Sequence, residues 1–172
     1  MAASNVQPQE DFKSRFNEIV LVSADILLAQ TVPEFKPLSR ETTPALDSVC
    51  VVGFVGPVIR GMFYVGMSGD GIRQLRADLY EDWIGELANQ LAGRVKNRLS
   101  RHAISYDISP PITVRGERLS VAAAARIARG YVCSVGECWI WVLLDVLKVV
   151  EIKPADENEE PVIEGNLLIF DT

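Results

Sequence analysis

The sequence has few of the residue types that build metal centres and covalent active sites. Three of its 172 residues are cysteines, and His102 is the single histidine. Cys133 and Cys138 have four residues between them and Cys50 is remote, so no set of four ligands has zinc spacing. A nucleophilic triad could use only His102, whose position just past a predicted helix suits a role at the helix C-terminus better. We therefore predict neither a metal site nor a nucleophilic hydrolase.

Long apolar runs and an excess of basic residues are also missing. A membrane helix needs about 18–20 apolar residues, and the longest run, 138–150, is interrupted by Asp145 and Lys148. The first eight residues lack the basic start of a signal peptide. The net charge is −6 and the basic residues are scattered, which disfavours nucleic-acid binding. With an odd number of cysteines, these features predict a cytoplasmic protein with no nucleic-acid or membrane partner.

The periodicity of the apolar residues predicts an α+β fold, in which an antiparallel-rich β-sheet packs against long helices. Helical spacing covers Glu10–Gln30 and Leu75–Leu99, and Met67–Gly71 has the composition of a turn. Strand patterns occur at 34–38, 49–54, 59–65, 112–114, 119–127, 132–135 and 139–144. In the last of these, Trp139 and Trp141 alternate with aliphatic residues. This alternation fits a strand buried on both faces, or equally a strand that joins a partner's sheet.

One side of the second predicted helix carries an acid and an amide away from its apolar stripe. On a helical wheel, Asp82, Glu86 and Asn89 lie within about 60° of one another. Gly85 and Gly93 flank them on the same side, although a mid-helix glycine costs about 0.8–1.0 kcal/mol relative to alanine. We call Asp82, Glu86 and Asn89 the polar row. The two glycines leave room for another backbone to approach it. The alternative is that the polar row is an ordinary solvated helix face. The apolar stripe opposite consists of Ile84, Leu87, Ala88, Leu91, Val95 and Leu99.

The same helix resembles the signature helix of the CheC/CheX/FliY phosphatases. That family carries an Asp or Ser, then three residues, a Glu, two residues and an Asn, positions that Asp82, Glu86 and Asn89 occupy here. Three other segments resemble CheX in the same order, namely two strands of its first hairpin and its Pro-containing strand start: 51–56, 61–65 and 107–116. The ordered set is more specific than a bare Glu-x-x-Asn.

The resemblance implies a single CheX-like domain over residues 1–172. Residues 9–150 are matched to the family, and 151–172 form an acidic loop followed by a candidate edge strand at 162–170. CheC-like members carry two copies of the motif and CheX carries one. The first helix here has Ser14 and Glu18 but Leu21 in place of the Asn, so it carries no second copy and the chain looks more like CheX. CheX also has a further helix between the first hairpin and the signature helix. We predict that this further helix is reduced here to one turn around 72–75.

The activity that the resemblance implies is hydrolysis of the aspartyl phosphate on a CheY-like receiver domain. In that chemistry Asn89 orients the attacking water, and Glu86 pairs with a receiver lysine. Asp82, Gly85 and Gly93 are then partner-binding positions. Mg²⁺ is expected in the partner receiver, with no cofactor in this chain, and a homodimer is the family's expected assembly. A non-catalytic receiver-binding adaptor, or a component similar to the flagellar switch, is the alternative function.

Two charged features of the helix have alternative interpretations. Asp82 either contacts the receiver or favours the early part of the helix through the helix dipole. A basic group near the helix C-terminus either complements that dipole or steers an acidic receiver towards the site. The basic group consists of Arg94, Lys96, Arg98 and Arg101.

Overall fold

Two long helices pack on one face of an antiparallel sheet in the computed structural model of the chain. The structure describes residues 6–31, 34–39, 44–69, 77–121, 125–133 and 136–152. The helices are α1 (Val6–Thr31) and α2 (Ala77–Ser100). The strands are β1 (Lys36–Pro37), β2 (Leu46–Val55), β3 (Ile59–Ser68), β4 (Asp107–Ile108), β5 (Ile112–Leu119), β6 (Arg126–Cys133) and β7 (Gly136–Val146). The prediction of an α+β fold is confirmed.

The strand order places β2 beside β4 and β5, the two strands that come directly after α2. Among the described strands the order is β1-β6-β7-β3-β2-β4, and β5 also pairs with β2. β4 pairs with the end of β2, at Phe54 and Val55, whereas β5 pairs with its earlier part, so the two are separated by a short corner at 109–111. The predicted hairpin around Gly56 is confirmed as β2 and β3.

Aromatic rings fill the space between the helices and the sheet. Side chains alternate across each strand, so one face of β2 and β3 points at the helices. Phe63 is fully buried there, with its ring centroid 4.8 Å from that of Phe54 and 6.4 Å from that of Phe16 on α1. Tyr106 extends the same cluster, 5.2 Å from Phe54. These contacts hold α1 and the sheet together.

Phe63→Ala is expected to destabilise the protein by about 3–5 kcal/mol, because it leaves a cavity among packed rings. The neighbouring Met62 is the matched control, since it lies on the opposite face of the same strand and is 42 % exposed. Met62→Ala is expected to change stability by about 0.5 kcal/mol or less. Denaturant titrations of both variants measure the two changes. Equal losses would contradict the placement of the core on the helix side of β3.

The opposite face of the sheet has its own small apolar cluster. Trp139 and Trp141 of β7 stack there with ring centroids 6.3 Å apart, packed with Leu46 and Val49 of β2. The other side chains of the strand, from Cys138 to Val142, are buried towards the helices. β7 also has β6 and β3 hydrogen-bonded along its two edges. The interpretation of 139–144 as a strand buried on both faces is therefore confirmed, and its alternative as a strand joining a partner's sheet is wrong.

Several predicted boundaries differ from the structure. β3 continues to Ser68, so the turn predicted at Met67–Gly71 begins later. The single strand predicted at 119–127 is wrong: β5 ends at Leu119 and β6 begins at Arg126. Val121 and Ala125, which lie between the two strands in the sequence, pack against the tryptophan cluster. The turn predicted at 72–75 and the tail at 153–172 lie outside the described residues.

The three cysteines are free thiols and differ in exposure. Cys50 and Cys138 are buried, whereas Cys133 is half-buried. Burial raises the pKa of the Cys50 and Cys138 thiols. Both therefore stay protonated at neutral pH, and a protonated thiol is a poor nucleophile.

Candidate functional site

The inner side of α2 fixes the direction in which its polar side faces. The predicted stripe is confirmed, since each of its members is 3 % exposed or less and belongs to the core between helices and sheet: Ile84, Leu87, Ala88, Leu91, Val95 and Leu99. A helix turns by about 100° per residue, so burial of this stripe directs the opposite side of α2 away from the sheet. The polar row of the sequence lies on that side.

The acid and the amide of the row share one accessible face. Asp82 and Glu86 are exposed, and Asn89 is half-buried. Helical residues three or four positions apart have Cβ atoms about 5–6 Å from each other, so Glu86 neighbours both Asp82 and Asn89. The Asn89 side chain forms no hydrogen bond with any residue that the structure describes. Its carboxamide can therefore both donate and accept a hydrogen bond to an outside group.

Gln90 is a neighbour of the site that the sequence analysis missed. Its side-chain amide donates a 2.9 Å hydrogen bond to Oε1 of Glu86. The second carboxylate oxygen of Glu86 has no partner among the described residues and stays available for a cation. The signal for this contact was the spacing of four between Glu86 and Gln90, which places a helical pair on one face.

The two glycines occupy different environments. Gly93 faces open space, because a Cβ built there meets nothing within 4 Å, and it leaves the clearance that was predicted. Gly85 is buried, so its predicted place on the open side is wrong. A Cβ built at Gly85 would lie 3.7 Å from Cγ of Pro111 and 3.9 Å from Oγ1 of Thr113. The physical reason is the corner before β5, which covers this flank of the helix.

Asp82 lies beyond the first turn of the helix. The structure begins α2 at Ala77, which makes Asp82 its sixth residue. The dipole effect on a side-chain charge falls off within the first turn. The position of Asp82 therefore weakens the dipole account of this residue and favours a contact with a partner.

Part of the basic group at the other end of α2 is engaged within the chain. Arg94 donates a 2.7 Å hydrogen bond to Oε1 of Gln30 on α1, and Nζ of Lys96 lies 3.9 Å from Oδ1 of Asp107. The backbone N–H of His102 donates to the Leu99 carbonyl, just past the helix end. Arg94 and Lys96 therefore have partners within the chain.

The geometry supplies orientation and charge. That part of the chain contains no cluster of three or more His, Cys, Asp or Glu side chains able to hold a metal ion. Neither described helix is long and apolar enough to cross a membrane. A carboxylate on a helix face can pair with a partner's cation, and the amide beside it can hold a water molecule.

The sequence profile of the family described as chemotaxis phosphatase CheX matches residues 48–133, which is 86 of the 172 residues. This segment contains most of β2, all of β3, the polar row of α2 and the corner before β5. The chain belongs to the CheX family, and the resemblance seen in the sequence is confirmed. No curated protein sequence matches the chain.

Solved structures of family members have the same fold. A chemotaxis protein CheX from Vibrio vulnificus superposes with a TM-score of 0.64 at 19 % identity, over 76 % of this chain and 96 % of that one. A CheC-like superfamily protein from Shewanella sp. PV-4 gives 0.59 at 20 % identity, over 76 % and 97 %. A complex of CheX with CheY, BeF₃ and Mg²⁺ from Borrelia burgdorferi gives 0.57 at 18 % identity, over 74 % and 96 %. At these identities the likeness establishes the fold.

Proposed function

We propose that this protein hydrolyses the aspartyl phosphate of a CheY-like receiver domain. The observation that carries the proposal is that Glu86 and Asn89 lie side by side on one accessible face of a helix whose other side is buried. Membership of the chemotaxis phosphatase family supports it. So does the Borrelia burgdorferi structure, in which a CheX is bound to CheY with BeF₃ and Mg²⁺.

The reaction needs a water molecule held in line with the bond that breaks. The water oxygen attacks phosphorus, the bond between phosphorus and the aspartyl oxygen breaks, and inorganic phosphate and the receiver carboxylate are released. Asn89 holds this water through its amide group, which orients the water without acting as a base. Mg²⁺ bound in the receiver's own acidic pocket supplies charge neutralisation on the phosphoryl oxygens.

Glu86 serves docking rather than direct contact with the phosphoryl group, because two anions repel each other. Its free carboxylate oxygen pairs with a lysine of the receiver, while Gln90 holds the other oxygen and limits rotation of the side chain. Asp82 and the open surface at Gly93 add contacts along the same row. The reducing cytoplasm is the compartment that we propose for this reaction.

A homodimer is part of the same proposal. Among the described strands β5 pairs only with β2 and so forms an edge, and Ile112 and Val114 on it are 66 % and 49 % exposed. Exposed apolar side chains on an edge strand favour association with another chain.

The direct test is release of inorganic phosphate from phosphorylated receivers. Several CheY-like receivers, phosphorylated with a small phosphodonor and Mg²⁺, are incubated with and without the protein. At least one receiver is expected to lose its phosphate many times faster than by its own hydrolysis. Binding that depends on phosphorylation, without any acceleration, would contradict the phosphatase and identify the adaptor instead.

A further inference from the structure

The corner between β4 and β5 forms a second exposed surface beside the signature helix. Ser109, Pro110 and Pro111 make this corner, and all three are exposed. Pro111 nevertheless lies against the helix, since a Cβ built at Gly85 would be 3.7 Å from its Cγ and 3.9 Å from its Cβ. One side of Pro111 thus covers Gly85, and the residue keeps accessible surface on its other side.

Hydrogen bonds and proline geometry hold the corner in one conformation. The backbone N–H of Ser109 donates to the Gly53 carbonyl at 2.9 Å, and the Gly53 N–H donates to Oγ of Ser109 at 2.9 Å. The Ser109 hydroxyl also donates to the Pro110 carbonyl at 3.0 Å. Two successive prolines fix their own φ angles and restrict the residues before them. A surface that is rigid before binding loses little conformational entropy when a partner docks.

The corner lies level with the polar row. With a rise of 1.5 Å per residue, Gly85 is about 4.5 Å along the helix axis from Asp82 and about 6 Å from Asn89. On the wheel Gly85 is about 40° from Asn89. A standard protein interface covers about 800 Å² of each partner, far more than the row alone. A folded protein that covers this much surface around Glu86 and Asn89 has Pro111 within its reach.

We propose that Pro110 and Pro111 form a rigid docking ridge for the receiver, which contacts an apolar part of the receiver surface next to its phosphorylated aspartate. The ridge contributes to binding of the receiver and takes no part in the chemical step. Its chemistry suits an apolar neighbour, because neither proline has a backbone N–H to be satisfied. This inference rests on the proposed function, since it takes the receiver as the partner.

The test compares charged substitutions on the ridge with a matched proline elsewhere. Pro111→Asp and Pro111→Lys are each expected to raise the KM for the phosphorylated receiver, and the Kd for the same receiver with BeF₃⁻ and Mg²⁺, at least tenfold. The kcat is expected to stay within about threefold, because Asn89 is untouched once the complex forms. Pro37→Asp is the control and is expected to change neither constant more than twofold. Pro37 is exposed on β1, at the opposite edge of the sheet.

Using both signs of charge separates contact from long-range electrostatics. A contact is weakened by either charge, whereas a field effect would weaken binding with one sign and strengthen it with the other. Thermal unfolding is measured first, and Pro111→Ala, expected to raise KM two- to fivefold, replaces any charged variant that does not fold. Unchanged constants in the folded variants would overturn the ridge while the phosphatase stands. A wild type that binds the receiver without accelerating hydrolysis would overturn the phosphatase, while the Kd values still decide the ridge.

Discussion

Asn89→Ala is expected to lower the rate of receiver dephosphorylation by about 100-fold or more, to the receiver's own rate. A water molecule that is no longer held in line attacks far less often, and small errors of position cost about 100-fold in rate. Binding is expected to survive, because Glu86 and the rest of the exposed face are unchanged. The measurement is phosphate release under single-turnover conditions, together with the Kd for the receiver with BeF₃⁻.

The fold is expected to tolerate this change. Asn89 is half-buried and forms no hydrogen bond with the described residues, and alanine has the higher helix propensity. The unfolding midpoint should therefore stay constant or rise slightly. Asn97→Ala is the matched control, because Asn97 is an exposed asparagine two turns further along the same helix. Equal rates for wild type and Asn89→Ala would remove Asn89 from the mechanism.

Glu86→Lys is expected to raise the Kd for the BeF₃⁻-bound receiver about 30-fold or more and to lower turnover with it. The substitution places a cation against the receiver lysine that Glu86 is proposed to pair with. Loss of one partner of an interfacial charge pair costs about 2–5 kcal/mol, and reversal of the charge adds repulsion. Glu86→Ala should also raise the Kd and lower turnover, but by smaller factors. Titrations of the BeF₃⁻-bound receiver at low and high ionic strength measure the Kd of each variant, and phosphate release measures its turnover.

The dependence on salt distinguishes this ion pair from a general effect of charge. Binding by the wild type should weaken as ionic strength rises, and binding by Glu86→Ala should depend on salt less steeply. Glu151→Lys makes the same change in net charge at an exposed acid outside α2. It is expected to leave the Kd within twofold of wild type. A Glu86→Lys variant that binds as the wild type does would exclude Glu86 from docking.

The helices and the first hairpin could be predicted because their signals are local. The apolar stripe of α2 repeats every three to four residues, and the polar row follows from the same period. The prediction of one strand over 119–127 was wrong because small apolar residues such as Val121 and Ala125 pack on the face of a sheet as readily as they form a strand. Only the presence of Trp139 and Trp141 beneath them, from a later part of the chain, decides between the two.

The candidate site was predictable on one helix and not beyond it. The wheel places Gly85 about 20° from Ala92, at the border of the buried side, so its burial depends on what packs there. That neighbour is Pro111, which reaches the helix because β4 and β5 both pair with β2. Strand pairing between distant segments cannot be read from local periodicity. The ridge beside the polar row therefore emerged only from the tertiary structure.

The acid and the amide stand on the outer surface of a helix, which is convex. Such a surface cannot enclose a small phosphate ester, because it offers no walls to exclude solvent or to hold a leaving group. In the proposed reaction, discrimination among substrates would therefore come from the fit between two folded surfaces, and the reactive centre would be complete only while they are joined. In the proposed reaction, selectivity among an organism's many receivers would be decided at encounter, before any bond to phosphorus changes.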